Sequence, residues 1–387
     1  MRIRLDSIAL FILGVAFLLA FNPNFFERVL FFNEILSLLG VFCLFYFVKF
    51  KGGMNRAFLF FCLFFLYLLV SYAGSGFFYT DLYAYLRHSS IVYSVFCFFS
   101  GAFVFWRRTA FEQFCGFLDR RIGILLLTLS VPIQRIFALG VFPMVFADSG
   151  GVSRFVWLFL GFSVVALVYG GGSSVFALIF ISGVYLCRRF SWFFLASGAV
   201  VSGLIGLYLV SWDSMQAFLY YRVHPYMLGG VVEYIYDADP NLLTRLVLWM
   251  YSIEIWLNNV LFGVGFGVEM FSSDVVLLSF EEDLKNHYLG YFLGAHNSLL
   301  TLLARTGIIG FTFFMAFCLS LFYAFYGKRD ILDRYQTVAV LSFFVVFSVL
   351  LLNVVVESPI YSGFYWFASG LAYQALFGRE HESSTGS

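Results

Sequence analysis

The sequence predicts an all-α integral membrane protein, with about ten to twelve transmembrane helices and one large external loop that contains short helices. Three observations predict it: hydrophobic residues fill 62% of the 387 positions, charged residues only 12%, and long apolar runs recur from one end to the other. A soluble domain carries roughly twice that share of charge. Runs of about 20 apolar residues are what a helix needs to cross the hydrocarbon core with its backbone groups satisfied internally. The formal net charge of +1 offers no field to a nucleic acid, so the bilayer is the expected partner and a polynucleotide is not.

The first run, 7–21, follows Arg2 and Arg4 but has no small-residue cleavage site and leads into Asn22-Pro23-Asn24. It reads as a retained span rather than a cleaved signal. Further spans are predicted at 35–48, 57–74, 89–106 and 122–146, then 155–170, 175–186 and 192–210. A long polar stretch follows, and 308–326, 335–356 and 361–377 close the membrane domain. Positive charge orients them, because cytoplasmic segments keep Lys and Arg. Fifteen of the 23 Lys and Arg fall in alternate connections, among them Lys49, Lys51, Arg107, Arg108, Arg188, Arg189, Lys328 and Arg329. Both termini are therefore expected inside and the loop 211–306 outside. Between Arg121 and Arg188 an even number of crossings is required, yet three candidates fall there. Either 175–186 joins its neighbour as one re-entrant unit, or two helices are merged near Pro132. The organisation is a single polytopic domain over 1–377, with a polar, disordered cytoplasmic tail at 378–387.

The six cysteines avoid the large loop, and no paired metal-ligand spacing occurs. Neither a disulfide framework, nor a metal, nor a cofactor is expected. The loop is acidic, and against that background Arg222, Arg245, Lys285 and Arg305 are places where an anion could be held. A lone Arg there is more often an ion-pair partner that contributes little at a wet surface. Arg245 has company: 241–259 reads as a helix with Arg245, Trp249, Ser252 and Trp256 near one face. A planar guanidinium beside an indole suits a phosphate joined to a sugar or lipid, and also suits a plain interfacial helix anchored by tryptophan. Gly263, Gly265 and Gly267 alternate as in a tight turn with close backbone approach. They form no dinucleotide fingerprint, since the spacing is wrong and no βαβ unit surrounds them. Asn297 has the character of an N-cap for a short helix that opens at Ser298. His296 then stands at the positive end of that helix, where anions and the uncharged imidazole are favoured.

The order Arg245-x-x-x-Trp249, Gly263-x-Gly265-x-Gly267, His296-Asn297, then Thr306-Gly307-Ile308-Ile309-Gly310 resembles the bacterial O-antigen ligase and O-antigen polymerase superfamily. The resemblance extends to Glu357-Ser358-Pro359 and Trp366, covering about 173–377. It implies an inverting, membrane-embedded glycosyltransferase of the GT-C type in the bacterial inner membrane, with its active site on the periplasmic face. The implied donor is an undecaprenyl-diphosphate-linked oligosaccharide. The implied acceptor is either another lipid-linked repeat unit or lipid A–core, and a chain-length regulator is a candidate partner. Family members carry a Ser-Arg-Gly element ahead of the large loop. Gly170-Gly171-Gly172-Ser173-Ser174 stands there without the Arg, and Arg305 replaces a frequent acid. The roles implied are His296 as catalytic base, and Arg245, Arg222, Trp249, Asn297 and Arg305 as substrate-binding groups, with the three glycines shaping the loop. Polymerase is favoured over ligase. A flippase for lipid-linked sugars would need ionisable residues deep in the spans, where only Arg135 is a candidate, and a passive scaffold remains the other alternative.

Overall fold

A computed structural model describes residues 5–21, 32–50, 55–116, 240–271, 295–351, 356 and 362–378. The described part is helical, without a strand. Its elements are α1 (Leu5–Phe21), α2 (Phe32–Phe50), α3 (Arg56–Ser75) and α4 (Leu82–Tyr93). A 3₁₀ turn at Ser94–Phe96 then leads into α5 (Cys97–Trp106). After 117–239 come α6 (Pro240–Asn258), α7 (Ser298–Lys328), α8 (Arg334–Leu350) and α9 (Ser362–Phe377). The predicted spans between 122 and 210, with Arg222, lie outside the described residues.

Three described helical stretches are long and apolar enough to cross a membrane: Arg56–Ser75, Leu82–Trp106 and Ser298–Lys328. The first starts where Asn55 accepts a hydrogen bond from the Phe58 amide, a cap that satisfies an otherwise orphan donor. The second starts seven residues before the predicted 89–106, because Asp81 accepts from the Ala84 amide at 2.7 Å and opens the helix there. Asp333 and Gln336 form a reciprocal capping box at the head of α8. The third long stretch also differs from expectation. The short helix after Asn297 and the span predicted at 308–326 are one element, α7, broken at Gly307.

Two ends of the bundle can be told apart by their contacts. At one, Arg107 pairs with Asp6 at 2.7 Å and Arg108 with Asp333 at 3.0 Å. Asn55 also donates to the Tyr373 hydroxyl at 3.1 Å there. That end gathers the start of α1, the end of α5, the turn from α7 to α8, and the Lys- and Arg-bearing segments. At the other end the tail of α3, the head of α4, the loop after α6 and the head of α7 come together.

The core is aromatic. Phe61 stacks on Phe98 with ring centroids 4.1 Å apart, and the fully buried Trp366 is flanked by Phe61, Phe64, Phe314 and Phe317. Where apolar lipid removes the hydrophobic gain between helices, close backbone approach at small residues is the main source of adhesion. Helices α5 and α9 cross in this way. A Cβ on Gly101 would run into the Phe367 carbonyl, and one on Gly370 into the Phe98 carbonyl. Gly370→Ala is expected to cost about 1–3 kcal/mol by overpacking, seen as a lower melting temperature in detergent. Gly14→Ala, with open space around its Cβ, is expected to leave it unchanged. Equal melting of the two variants would refute this crossing.

Candidate functional site

The site is built on a spliced helix. Gly307 has φ +63° and ψ −172°, which breaks α7 in the middle. An unbroken helix would pair the Ile308 amide with the Ala304 carbonyl and the Ile309 amide with the Arg305 carbonyl. All four groups are instead satisfied by the loop after α6. Val264 and Gly265 donate to the Ala304 and Arg305 carbonyls at 2.9 and 3.0 Å. Ile308 and Ile309 donate to the Val260 and Leu261 carbonyls at 2.8 and 3.4 Å. Backbone groups buried away from water must find such partners, so the loop and the break require each other.

The glycines allow the approach. Gly263, Gly265 and Gly267 all have positive φ. A Cβ on Gly263 would collide with the Ala304 and Arg305 carbonyls, and one on Gly307 with Leu261. The Arg305 guanidinium, only 3% exposed, donates to the Gly265 and Val268 carbonyls at 3.0 and 3.4 Å. Leu248 and Ile255 of α6 pack with Met270, Phe271, Val264 and Ala304, seating α6 beside the break.

The far side of the loop rests on the α3–α4 hairpin. Phe266 donates its amide to the Ser75 hydroxyl at 2.9 Å, and Gly267 donates to Nδ1 of the buried His88 at 2.9 Å. Thr80 donates twice to the Gly267 carbonyl, from its amide at 3.1 Å and its hydroxyl at 3.2 Å. Tyr67 donates to the Thr306 carbonyl at 2.6 Å, next to the break. The hairpin is itself clamped by Tyr72 and Tyr85, whose hydroxyls each donate to the other's carbonyl while their rings stack at 4.5 Å.

Nearly three turns before the break, Asn297 caps α7, its side chain accepting from the Leu299 and Leu300 amides at 3.0 and 3.2 Å. This is the cap the sequence predicts. His296, immediately before it, has φ +49°, the one positive φ at a non-glycine position among the described residues. His tolerates that region better than most side chains, and such outliers concentrate at functional positions. Thr301 ties the turn down by accepting from the Ala295 amide at 2.9 Å and donating to the Asn297 carbonyl at 3.3 Å. Ser298 accepts from the Val356 amide at 3.3 Å. A recess lies between these parts, lined by Ile91, Phe266, Thr301, Leu302, Arg305 and Val356.

Of the residues singled out in the sequence, the structure brings Gly263, Gly265, Gly267 and Arg305 into one hydrogen-bonded unit and sets His296 and Asn297 on the same helix head. Arg305 sits beneath the loop rather than open to the outside, and its bonds hold the loop carbonyls. Helix α6 carries Arg245, whose side chain lies outside the described residues, and Trp249, whose indole nitrogen is buried without an acceptor among the described residues. The structure adds Ser75, Thr80, His88 and Tyr67, which the sequence reading passed over. The signal for His88 was the Asp81 cap, which extends α4 far enough to include it. Residues 153–315 match the family model described as O-antigen ligase. No curated protein matches the chain.

Proposed function

We propose, from the O-antigen ligase family domain that residues 153–315 make up, that this membrane protein is a polymerase of O-antigen or a related surface polysaccharide. It joins a glycan carried on undecaprenyl diphosphate to a second lipid-linked repeat unit. The observation that carries the reading is the joint position of His296, the Asn297 cap and the glycine loop at the end of the bundle away from Arg107, Arg108 and Lys328. Under the positive-inside rule a basic end is the cytoplasmic one, and this supports a transfer site on the periplasmic face, where lipid-linked glycans are assembled.

The donor brings its own leaving group, so the protein must accept a proton and hold departing charge. The acceptor hydroxyl oxygen attacks the anomeric carbon with inversion. The bond from that carbon to the diphosphate oxygen breaks, and its electron pair leaves with the diphosphate. His296 takes the hydroxyl proton. Arg245 and Arg222 neutralise the diphosphate as it departs, and Trp249 offers its ring to sugar or prenyl and its indole N–H to an oxygen. Arg305 contributes by fixing the loop. The positive head of α7 faces the same region.

A second reading, ligase, has the family's description in its favour: the finished glycan would move to lipid A–core. Deleting the gene in its host and resolving the lipopolysaccharide on a gel separates the two. Core bearing one repeat unit with the ladder lost is expected for the polymerase. Bare core with polymer stranded on its carrier identifies the ligase, and an unchanged pattern rules out both.

A further inference from the structure

We propose that His88 is a positioning residue of the transfer site, holding the glycine loop through the Gly267 amide; this rests on the functional reading above. His88 is buried, 5% exposed, near the start of a membrane-length helix. Its Nδ1 receives the Gly267 N–H at 2.9 Å, so that nitrogen is the unprotonated one and the ring proton is on Nε2. Phe266 packs edge-on against the imidazole, centroids 6.2 Å apart. Ser75 and Thr80 fix the neighbouring Phe266 amide and Gly267 carbonyl, so His88 completes the anchoring of a two-residue stretch whose backbone groups are otherwise orphans.

That stretch is continuous with the splice. Gly265 donates to the Arg305 carbonyl while accepting from the Arg305 guanidinium, and the backbone groups of Val260, Leu261 and Val264 satisfy the rest of the break in α7. Moving Gly267 therefore moves the element that fixes the head of α7, where Asn297 and His296 sit. His88 touches no reacting atom in this scheme. Its influence travels through Gly267, Gly265 and Arg305 to the orientation of His296. The requirement is specific: an acceptor attached at the γ-carbon, where Asn presents Oδ1 and Gln does not.

The test uses the full-length protein in lipid nanodiscs. Hydrogen exchange is followed at 260–271 and 295–308, and glycan transfer is measured with lipid-linked repeat units extracted from the host. His88→Phe and His88→Gln are expected to speed exchange of the loop by roughly 10- to 100-fold, as for a buried amide that loses its only acceptor. They should lower kcat with KM little changed, and His88→Asn should restore both. Unchanged loop exchange in His88→Phe overturns the proposal. So does a loosened loop with transfer at the wild-type rate, or His88→Asn no better than His88→Gln. Should His88→Phe fail to insert, His88→Gln carries the same comparison. If the wild-type protein transfers no glycan, the functional reading falls, while the exchange data still decide whether His88 holds the loop.

Discussion

Gly263→Ala is expected to undock the glycine loop and lower glycan transfer by at least about 100-fold, with the aromatic core still folded. The added methyl meets the backbone of Ala304 and Arg305, which cannot yield without opening the break in α7. A non-glycine residue at the φ of +69° costs roughly 1–2 kcal/mol. The four backbone bonds of the splice contribute about 0.5–1.5 kcal/mol each. Their joint loss amounts to several kcal/mol, already net of the bonds that water would supply. Gly307→Ala reaches the same end from the other partner. Its methyl strikes the Leu261 carbonyl, and alanine prefers the helical conformation. The Ile308 and Ile309 amides then return to Ala304 and Arg305, α7 straightens, and Val264 and Gly265 lose their acceptors. Both variants should show fast hydrogen exchange at 260–271, normal exchange in α5 and α9, and unchanged helical circular dichroism. Wild-type transfer with a protected loop in Gly263→Ala would mean that the close approach is dispensable.

The parts of this site that depend on neighbours in sequence were legible, and the parts that depend on distant ones were not. Asn297 as a cap, 241–259 as a helix and the alternating glycines as a tight turn all follow from local rules, and α6, the Asn297 bonds and the positive φ values agree with them. The kink was out of reach. Thr306-Gly307-Ile308 reads as the start of a span, since nothing in those residues announces that a loop some 45 positions earlier will complete their hydrogen bonds. Arg305 shows the same limit. In an acidic loop a lone guanidinium reads as a surface ion-pair partner, or else as a place to hold an anion. Its burial follows from the Gly265 and Val268 carbonyls, which a positive-φ loop turns inward and which need a donor. His88 lies one residue outside the span predicted at 89–106, whereas the Asp81 cap opens the helix at Leu82, seven residues earlier.

His296→Ala carries the other large expectation, a fall in kcat of about 10²- to 10⁴-fold, the usual contribution of a general base. Alanine alone would not decide the matter, because it removes the imidazole and also strains a backbone held at φ +49°. His296→Asn separates the two, since Asn enters that region readily yet cannot accept the proton. His296→Gly relaxes the backbone altogether. If the imidazole is the base, all three variants are slow, and in His296→Asn and His296→Gly the loop remains protected from exchange. If the residue matters only as a turn before the Asn297 cap, His296→Asn and His296→Gly keep wild-type transfer and the proposed base is lost. Asn297→Ala supplies the scale for that second case. Losing a cap costs about 0.5–2 kcal/mol, which loosens the head of α7 without removing the proton acceptor. The base reading therefore requires His296→Asn to be far slower than Asn297→Ala, and the reverse order would place the function of this turn in its backbone.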